Sequence, residues 1–448
     1  MKYLNQLMRS VPNAAPGCNR REFIGTASKS ILAATVIGEL AAGSANAAPA
    51  NPGSEGPGPR SMADAIKVEV PSQHATSEGQ QSSFPTILPK DKRVGYAIVG
   101  LGELTLGQIM PAFGSCKNSK PVALVSGHPD KAQKVAAQYG IDPKNIYNYQ
   151  NFDDIKNNPE IEAVYIVLPN AMHEEFVIRA AKAGKHVLCE KPMTVSSKSA
   201  ERMIAACKNA GKKLMIAYRI QFEPNNRQMM EFARQQKFGK VKVITSTNVQ
   251  NIGDPKQWRL HKALSGGGSL PDIGLYDLNT NRFLLGEEPY MVSATTYSTP
   301  NDPRFKEVEE TVMFQMFFPS GAIANNTCSY GAHNSKHYRC YADNGGWFGM
   351  DPAFDYKGLT PEASQAMGKV ENKMQPKIQE KNQFTIEIDH FSECVIENKE
   401  PYTPGEEGLQ DHKIMEAIYE SARTNKPVHL EMITTMDTFR RTPPNENS

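Results

Sequence analysis

Residues 94–107 read VGYAIVGLGELTLG, and this stretch decides the fold of the first half of the chain. The short apolar run Tyr96–Val99 is typical of a strand that is buried on both faces. Gly100 and Gly102 favour a tight turn after it, and apolar residues then recur at helical spacing. A strand, a glycine turn and a helix N-terminus together present free backbone N–H groups to a pyrophosphate. The stretch predicts a dinucleotide-binding turn, although Thr105 occupies the usual third glycine position and an ordinary strand-to-helix turn is the alternative.

Downstream of this turn, strand and helix patterns alternate along the chain up to about residue 218. Further strands are predicted at 122–126, 163–168, 186–189 and 213–217. Helices are predicted between them, at 131–139, 174–183 and 199–210. Alternation of this kind predicts an α/β fold with a doubly wound parallel sheet of the Rossmann type, which we place at residues 91–218.

The second half has a different pattern, with strands joined by turns at 241–249, 292–297, 311–318, 322–329 and 338–342. This pattern predicts an α+β domain over residues 219–448 with a mainly antiparallel open sheet. We expect helices at about 270–285, 384–397 and 407–424 to cover one face of that sheet. Residues 313–318 place apolar side chains on both faces of one strand, which predicts a homodimer or homotetramer that associates through its sheets.

The first 90 residues carry an export signal followed by a polar segment. Arg20 and Arg21 precede a modest apolar region at 31–42 and an A-x-A site that ends at Ala47. This pattern is typical of a twin-arginine signal peptide over residues 1–47 and predicts export to the periplasm, because the apolar region is too short for a membrane anchor. Residues 48–90, rich in Pro, Gly, Ser and Gln, form either a flexible linker or an arm that is ordered only against another surface.

Charge and cysteine content exclude several classes of partner. The 50 Lys and Arg residues against 48 Asp and Glu residues leave a formal charge of +2 with no long basic run, so no nucleic acid or membrane partner is expected. The seven cysteines show no metal-ligand spacing, so no metal site is expected. Cys328 and Cys340 flank a predicted hairpin near residues 333–334, where a disulfide and two free buried cysteines are the alternatives.

Polar side chains follow the predicted strands of the first half. Ser126 and Gly127 end the second strand, where a site for NAD usually places an acid that binds the ribose 2′-hydroxyl. Ser126 does not repel a 2′-phosphate and Lys131 is near enough in sequence to meet one, which favours NADP over NAD. Residues 168–170 and, at another strand end, residues 190–192 are expected to reach the same cleft, where Lys191 would place its cation.

The second half contributes the sequence GGGSLPDIGLY at residues 266–276, a glycine-rich loop that runs into a helix. Asp272 and Tyr276 are four residues apart and therefore share one helix face. Oxidation of a sugar hydroxyl requires a base, and a tyrosine can serve if a nearby lysine cation favours its ionised form. The alternative is that Asp272 supports the helix dipole and Tyr276 packs in the core.

The motifs YAIVGLG, ALVSG, AVYIVLPN, LCEKPM, QWRL, GGGSLPDIGLY, LLGEEP and PGEEGLQD together resemble those of the Gfo/Idh/MocA oxidoreductase family over about residues 91–430. Tyr276, where many members have histidine, is similar to the glucose-fructose oxidoreductase branch. The resemblance implies that Lys191, Asp272 and Tyr276 are catalytic. It further implies that the cofactor is contacted by Gly100, Leu101, Gly102, Ser126, Gly127, Lys131, Leu168, Pro169, Asn170, His173, Glu190, Lys191, Arg219, Trp258 and Arg259. Glu103 in the phosphate turn and residues 332–336 depart from the branch.

The resulting hypothesis is a periplasmic NADP-dependent sugar oxidoreductase. It would oxidise an aldose at C1 to its lactone, keep NADP tightly bound, and reduce a second sugar in a ping-pong cycle. Three alternatives stay open at this point. They are a dehydrogenase with exchangeable NAD(P), a redox-neutral NAD-dependent glycosidase, and a non-catalytic sugar-binding protein.

Overall fold

Residues 93–444 are described by the computed structural model of the chain. The predicted signal peptide at 1–47 and the predicted arm at 48–90 lie outside the described residues. Within residues 93–444, no helix is long and apolar enough to cross a membrane. Two β-sheets, one of six and one of nine strands, organise this part of the chain.

The six-stranded sheet has the order β3-β2-β1-β4-β5-β6, and all its strands are parallel. Its strands are β1 (Val94–Val99), β2 (Ser119–Val125), β3 (Ile146–Tyr147), β4 (Ala163–Ile166), β5 (His186–Glu190) and β6 (Leu214–Ala217). The helices between them are α1 (Met110–Phe113), α2 (Pro129–Tyr139), α3 (Asn170–Lys182) and α4 (Ser197–Asn209). All six residues of β1 are buried, as expected for a strand covered on both faces. The strand order reverses between β1 and β4, which confirms the predicted doubly wound Rossmann fold.

The glycine turn after β1 has a local explanation for both of its unusual residues. Gly100 has a φ of +94°, and a Cβ atom there would lie 2.1 Å from the carbonyl oxygen of Val167. Thr105 is buried, and its hydroxyl donates a 2.7 Å hydrogen bond to the carbonyl oxygen of Gly100. The helix then begins as a π-helical segment, Thr105–Ile109, before α1. Thr105 therefore closes the turn from inside, so the missing third glycine does not disrupt it.

The nine-stranded sheet has the order β14-β13-β12-β11-β7-β10-β9-β8-β15. Its strands are β7 (Val241–Asn251), β8 (Met291–Tyr297), β9 (Thr311–Phe317), β10 (Ile323–Ser329), β11 (Gly331–Ala342), β12 (Gly346–Met350), β13 (Pro361–Met367), β14 (Val370–Met374) and β15 (Val428–His429). Only β7 and β10 pair in parallel, so the predicted mainly antiparallel sheet is confirmed. The sequence patterns missed β12 to β15.

The remaining helices are α5 (Pro224–Arg234), α6 (Lys262–Ser265), α7 (Leu275–Leu285), α8 (Gln383–Ile396) and α9 (Gly405–Thr424). Helix α7 packs on β7 and β10, and α9 packs on β8, as predicted for the second sheet. Helix α8 instead packs on the parallel sheet, where the hydroxyl of Tyr96 lies 2.8 Å from that of Ser392. The expectation that residues 384–397 cover the antiparallel sheet was wrong, because an apolar helix face does not specify which sheet it covers. The predicted domain boundary at 218/219 falls just after β6 and stays a prediction.

The possible disulfide is excluded by the strand order. Strands β10 and β11 do not pair, because β7 lies between them and aligns Cys328 with Asn248 on one side and Cys340 with Ile244 on the other. The hairpin interpretation of residues 328–340 was therefore wrong. The six cysteines of the described residues are all free and buried.

A buried cluster of charges joins α7, α9 and the end of the described chain. Arg282 pairs with Glu288 at 2.7 Å, with Glu407 at 2.8 Å and with Asp411. Arg440 pairs with the second oxygen of Glu407 at 2.8 Å. Because each of these charges has an opposite partner, the cluster can exist without water and fixes the elements that it joins.

Candidate active site

A cleft lies where the parallel strands end, facing the inner surface of the nine-stranded sheet. It begins at the switch point, where Gly100 follows β1 and Leu168 follows β4. Most residues implied by the resemblance line it, namely Gly100, Leu101, Gly102, Ser126, Lys131, Leu168, Pro169, Asn170, Glu190, Lys191, Arg219, Trp258, Arg259, Asp272 and Tyr276. Such a crevice at the carboxyl ends of the strands is the usual ligand site of an open α/β sheet.

The end of the cleft next to the glycine turn fits a phosphorylated dinucleotide. A Cβ atom at Gly102 would meet no other atom within 4 Å, so the turn leaves open space beside its backbone. Ser126 accepts a 3.1 Å hydrogen bond from the backbone N–H of His128, and Lys131 lies close to the carbonyl oxygen of Leu101, at 3.4 Å. A cation without an acid at the end of β2 suits a 2′-phosphate. Glu103 also lines the cleft.

His173 and Gly127 are not among the residues that line the cleft. His173 is fully buried, and its Nε2 lies 2.8 Å from the carbonyl oxygen of Leu168 while its Nδ1 lies 3.0 Å from that of Pro192. Burial lowers the pKa of this imidazole. Gly127 lies against the ring of Tyr149, which does line the cleft. The expected direct contact of His173 with a cofactor is therefore corrected, because its ring joins the two loops that follow β4 and β5.

Lys191 and Asp272 form a half-buried ion pair across the cleft. The Lys191 Nζ lies 3.4 Å from one carboxylate oxygen of Asp272 and donates to the backbone oxygen of the same residue at 2.9 Å. The other carboxylate oxygen accepts from Arg259 at 3.0 Å and from the hydroxyl of Tyr330 at 2.6 Å. Burial alone would raise the pKa of Asp272, but the cations of Arg259 and Lys191 and the Tyr330 hydroxyl hold it at about 2.

The ammonium of Lys191 lies over the ring of Tyr276, 4.3 Å from the ring centroid. Burial alone would lower the pKa of Lys191, but the neighbouring Tyr276, Asp272 and Glu190 raise it above the usual lysine value. Glu190 is also buried, and it accepts a 2.8 Å hydrogen bond from Tyr165 while burial raises its pKa. Lys191 therefore stays protonated at neutral pH.

Arg219, and not Lys191, meets the hydroxyl of Tyr276. Its Nε and Nη2 lie 3.2 and 3.0 Å from the Tyr276 oxygen. The same guanidinium donates to the carbonyl oxygen of Phe354 at 2.6 Å and to Gln383 at 2.7 Å. Lys191 is near Tyr276, as the sequence predicts for a lysine cation, but it lies over the face of the ring.

The residues on either side of Arg219 in the sequence bond to the buried cluster of charges, and these bonds hold Arg219 in this position. The hydroxyl of Tyr218 donates to Asp411 at 2.6 Å, and the side-chain amide of Gln221 donates to Glu407 at 3.1 Å. Arg219 begins the 3₁₀ turn Arg219–Phe222 that directly follows β6. A strand end in the sheet and a buried ionic cluster thus fix the cation before any ligand arrives.

Apart from Lys336, which belongs to the divergent stretch 332–336 that was expected near the cleft, the sequence interpretation missed the residues on the far wall of the cleft. This wall is lined by Asn248, Gln250, Lys336, Phe354, Tyr356 and Phe384. His128 and Tyr149, at the glycine-turn end, were also missed. The alternate polar residues Asn248 and Gln250 at the end of an otherwise half-apolar strand were a readable signal of a polar cleft. Among residues 93–444, no three His, Cys, Asp or Glu side chains are grouped so that they could hold a metal ion.

Comparison with known proteins agrees with this architecture. Models of the Gfo/Idh/MocA family match residues 94–218, as an oxidoreductase family NAD-binding Rossmann fold, and residues 233–430, as its C-terminal alpha/beta domain. A D-xylose 1-dehydrogenase [NADP(+)] of Haloarcula marismortui is 34% identical over 76% of this chain and 94% of its own. The crystal structure of an aldose-aldose oxidoreductase from Caulobacter crescentus is 46% identical and superposes with a TM-score of 0.72 over 75% of this chain and 100% of its own. The chain therefore belongs to the Gfo/Idh/MocA family of oxidoreductases, as its motifs predict, whereas its place in the glucose-fructose branch stays a prediction.

Proposed function

We propose that this chain is a sugar oxidoreductase that uses NADP to oxidise an aldose at C1 to its lactone. The observation that carries the proposal is the hydroxyl of Tyr276, which accepts two N–H groups from Arg219 beside the Lys191–Asp272 ion pair. The xylose dehydrogenase and aldose-aldose oxidoreductase relatives support an aldose as the substrate.

The pKa values of Asp272 and Lys191 decide which of the three candidate groups can serve as the base. When C1 loses a hydride, its hydroxyl must give a proton to a base as the lactone carbonyl forms. Asp272, with a pKa of about 2, is too weak a base at neutral pH, and Lys191, with its raised pKa, already carries its proton. Tyr276 is therefore assigned as the proton acceptor, because its hydroxyl accepts two N–H groups from the Arg219 cation, which is placed to stabilise negative charge that develops on this oxygen. Lys191 orients the C1 oxygen, and Asp272 holds Lys191 and Arg259 in place.

The residues of the glycine turn, with Ser126 and Lys131, are proposed to hold the dinucleotide. A bound dinucleotide would supply the nicotinamide that takes up the hydride released from C1. The side chain of Asn170 is held in place at this site, because its amide donates a 2.8 Å hydrogen bond to the carbonyl oxygen of Ser265. Lys131 and the absence of an acid at Ser126 favour NADP, which the NADP-dependent xylose dehydrogenase relatives also support.

The test is the variant Tyr276→Phe, which removes the hydroxyl and keeps the ring under Lys191. Turnover with an aldose should fall at least about a hundredfold, within the usual contribution of a general base. Tyr297→Phe is the matched control, since this tyrosine is 60% exposed on β8, outside the cleft. Unchanged turnover in Tyr276→Phe, with NADP still bound, would refute the assignment of Tyr276 as the proton acceptor. Release of the aglycone from chromogenic glycosides, without net change in the dinucleotide, would support a glycosidase instead.

We further propose that the enzyme is exported and retains its NADP through a ping-pong cycle, in which a second sugar is reduced before the dinucleotide leaves. The twin-arginine pattern supports export of the folded protein, and an exported enzyme meets little free NADP. The segment 48–90 would cover the bound dinucleotide. Deletion of residues 48–85 should leave the fold intact and let NADP dissociate on dilution. A truncated protein that retains its nucleotide as well as the full chain would contradict the covering role.

Association through the outer face of the nine-stranded sheet is also proposed. Phe314 and Met316 of β9 are buried on the inner face, whereas Met313 between them is 54% exposed on the outer face. Tyr297 at the end of β8 and Tyr341 on β11 are further exposed apolar residues of the same sheet. An apolar outer face favours a second copy of the chain as its cover, in a dimer or a dimer of dimers.

A further inference from the structure

Two amide side chains at the end of β7 point toward the cleft. Asn248 and Gln250 are two residues apart on the strand, so they share its inner face. Both are only 1% exposed, and both line the cleft. On the neighbouring strand β11, Lys336 aligns with Asn248 in the antiparallel register and lines the same wall. Three polar side chains are thus gathered on one patch of the sheet.

The hydrogen bonds of these amides are incomplete within the protein. The Nδ2 of Asn248 donates to the carbonyl oxygen of Ile273 at 3.0 Å, but its Oδ1 has no hydrogen-bond partner in the described residues. Neither Oε1 nor Nε2 of Gln250 has a partner there. Buried polar groups are almost always paired, and each unpaired one costs free energy. A wall that keeps such groups unpaired is suited to a ligand that supplies the missing donors and acceptors.

The charge on this wall is balanced. The ammonium of Lys336 lies 2.7 Å from a carboxylate oxygen of Asp355, and the side chains are 5% and 16% exposed. An ammonium carries three N–H donors, so this pair leaves donors for a ligand without leaving a net charge. Phosphate or carboxylate ligands are usually met by an excess of cations, whereas hydroxyl groups need neutral donors and acceptors together.

We propose that Asn248, Gln250 and Lys336 recognise hydroxyl groups of a neutral, unphosphorylated sugar, other than the hydroxyl that is oxidised. This inference rests on the proposed function of the same cleft and narrows its substrate to free neutral sugars. A hydroxyl group supplies both a donor and an acceptor. The unpaired oxygens of Asn248 and Gln250 each require a donor, and the unpaired amide nitrogen of Gln250 requires an acceptor. A site built to hydrogen-bond a hydroxyl rejects analogues that lack it, because its buried groups are then left unpaired.

The test replaces each amide by an apolar side chain of similar shape, in Asn248→Leu and Gln250→Met. With D-glucose as the probe, KM should rise about tenfold or more for each variant, while kcat of Gln250→Met changes less than about threefold. Asn248→Leu also removes the bond to Ile273, so its kcat is expected to fall as well. The wild type should discriminate by tenfold or more against at least one of 3-deoxy-, 4-deoxy- and 6-deoxy-D-glucose. The variants should lose that discrimination. Thr247→Val is the matched control, since Thr247 directly precedes Asn248 on the opposite face of β7 and should leave KM unchanged.

Two readouts other than activity separate recognition from a structural role. Calorimetric titration of D-glucose into the NADP-loaded protein, in the Tyr276→Phe background, should show the same tenfold weakening for Gln250→Met. The Tm of Gln250→Met without sugar should be equal to or higher than that of the wild type, because the substitution removes an unpaired buried amide. A lower Tm together with unchanged glucose binding would overturn the proposal.

The charge balance is tested with D-glucose 6-phosphate. Its KM should be at least about a hundredfold above that of D-glucose, and an equal or lower KM would refute the restriction to neutral sugars. If the protein oxidises an aldose normally but KM and deoxy-sugar discrimination are unchanged in both amide variants, only this inference fails. If no aldose or ketose changes the absorbance of the bound dinucleotide, the proposed function itself fails.

Discussion

Replacement of Arg219 by lysine is the sharpest test of how the base is prepared. Arg219 donates from Nε and Nη2 to the hydroxyl of Tyr276. Its Nη2 also donates to the carbonyl oxygen of Phe354, and its Nη1 donates to Gln383. Lysine keeps the positive charge but has a single nitrogen on a flexible stem, so it cannot reproduce this fork of contacts. Arg219→Lys therefore removes the forked hydrogen bonds from the site while it preserves the positive charge.

The expected magnitude follows from these contacts. A hydrogen bond to a charged group contributes about 1.5–3 kcal/mol, and the Arg219 bonds act on Tyr276 most strongly when the hydroxyl is ionised. Loss of one such bond in the transition state lowers turnover about tenfold to a hundredfold, since about 1.4 kcal/mol corresponds to a factor of ten. Loss of the bonds to Phe354 and Gln383 should also loosen the wall of the cleft and raise KM.

The assay is single-turnover reduction of the bound dinucleotide, followed by its absorbance after mixing with an aldose. A double-mutant cycle with Tyr276→Phe isolates the pair, because Arg219→Lys should cost little further turnover once the hydroxyl is gone. Arg227→Lys is the control, since this arginine on α5 donates to the carbonyl oxygen of Pro444, outside the cleft. Fully additive losses in the cycle, or unchanged turnover in Arg219→Lys, would refute the coupling of Arg219 to Tyr276.

Three further predictions follow from single residues. The depressed pKa of Asp272, about 2 against about 3.9 when unfolded, stabilises the fold above pH 4 and is lost as pH falls toward 2. The difference in unfolding free energy between wild type and Asp272→Asn should therefore shrink by about 2–3 kcal/mol between pH 5 and 2, and a constant difference would contradict this. Gly100→Ala should destabilise the protein by more than about 1 kcal/mol and release NADP, whereas Gly184→Ala, with a φ of +74° but open space, should cost less in thermal melts. Met313→Glu should reduce the mass seen by light scattering, unlike Ile396→Glu on α8, and a monomeric wild type at micromolar concentration would exclude the oligomer.

The sequence predicted the parts of the fold in which a local pattern decides the structure. Runs such as Tyr96–Val99 are buried on both faces, so alternation with helices was enough to predict a doubly wound sheet and the edge at which its ligands bind. Strands β12 to β14 were missed because their short, polar and glycine-containing segments lack the alternation that marks a half-buried strand. The side of α8 that meets the parallel sheet is apolar, but an apolar helix face does not indicate which of the two sheets it will pack against.

The same limit explains which part of the site was predicted. Lys191 follows β5 and Arg219 follows the neighbouring parallel strand β6, and Glu190 aligns with Ala217 in their register. Both cations therefore lie at the same edge of the sheet. Which of them meets the Tyr276 hydroxyl depends on how the π-helical segment Leu270–Gly274 seats the tyrosine against that edge. That placement is set by contacts far apart in sequence, such as the bond from Asn248 to the carbonyl oxygen of Ile273. Residue type and strand position therefore predict the members of a catalytic group, whereas their pairing requires the packed structure. Asn248 links the seating of Tyr276 to the proposed sugar wall, because the side chain that bonds to Ile273 leaves its own buried oxygen without a hydrogen-bond partner in the described residues.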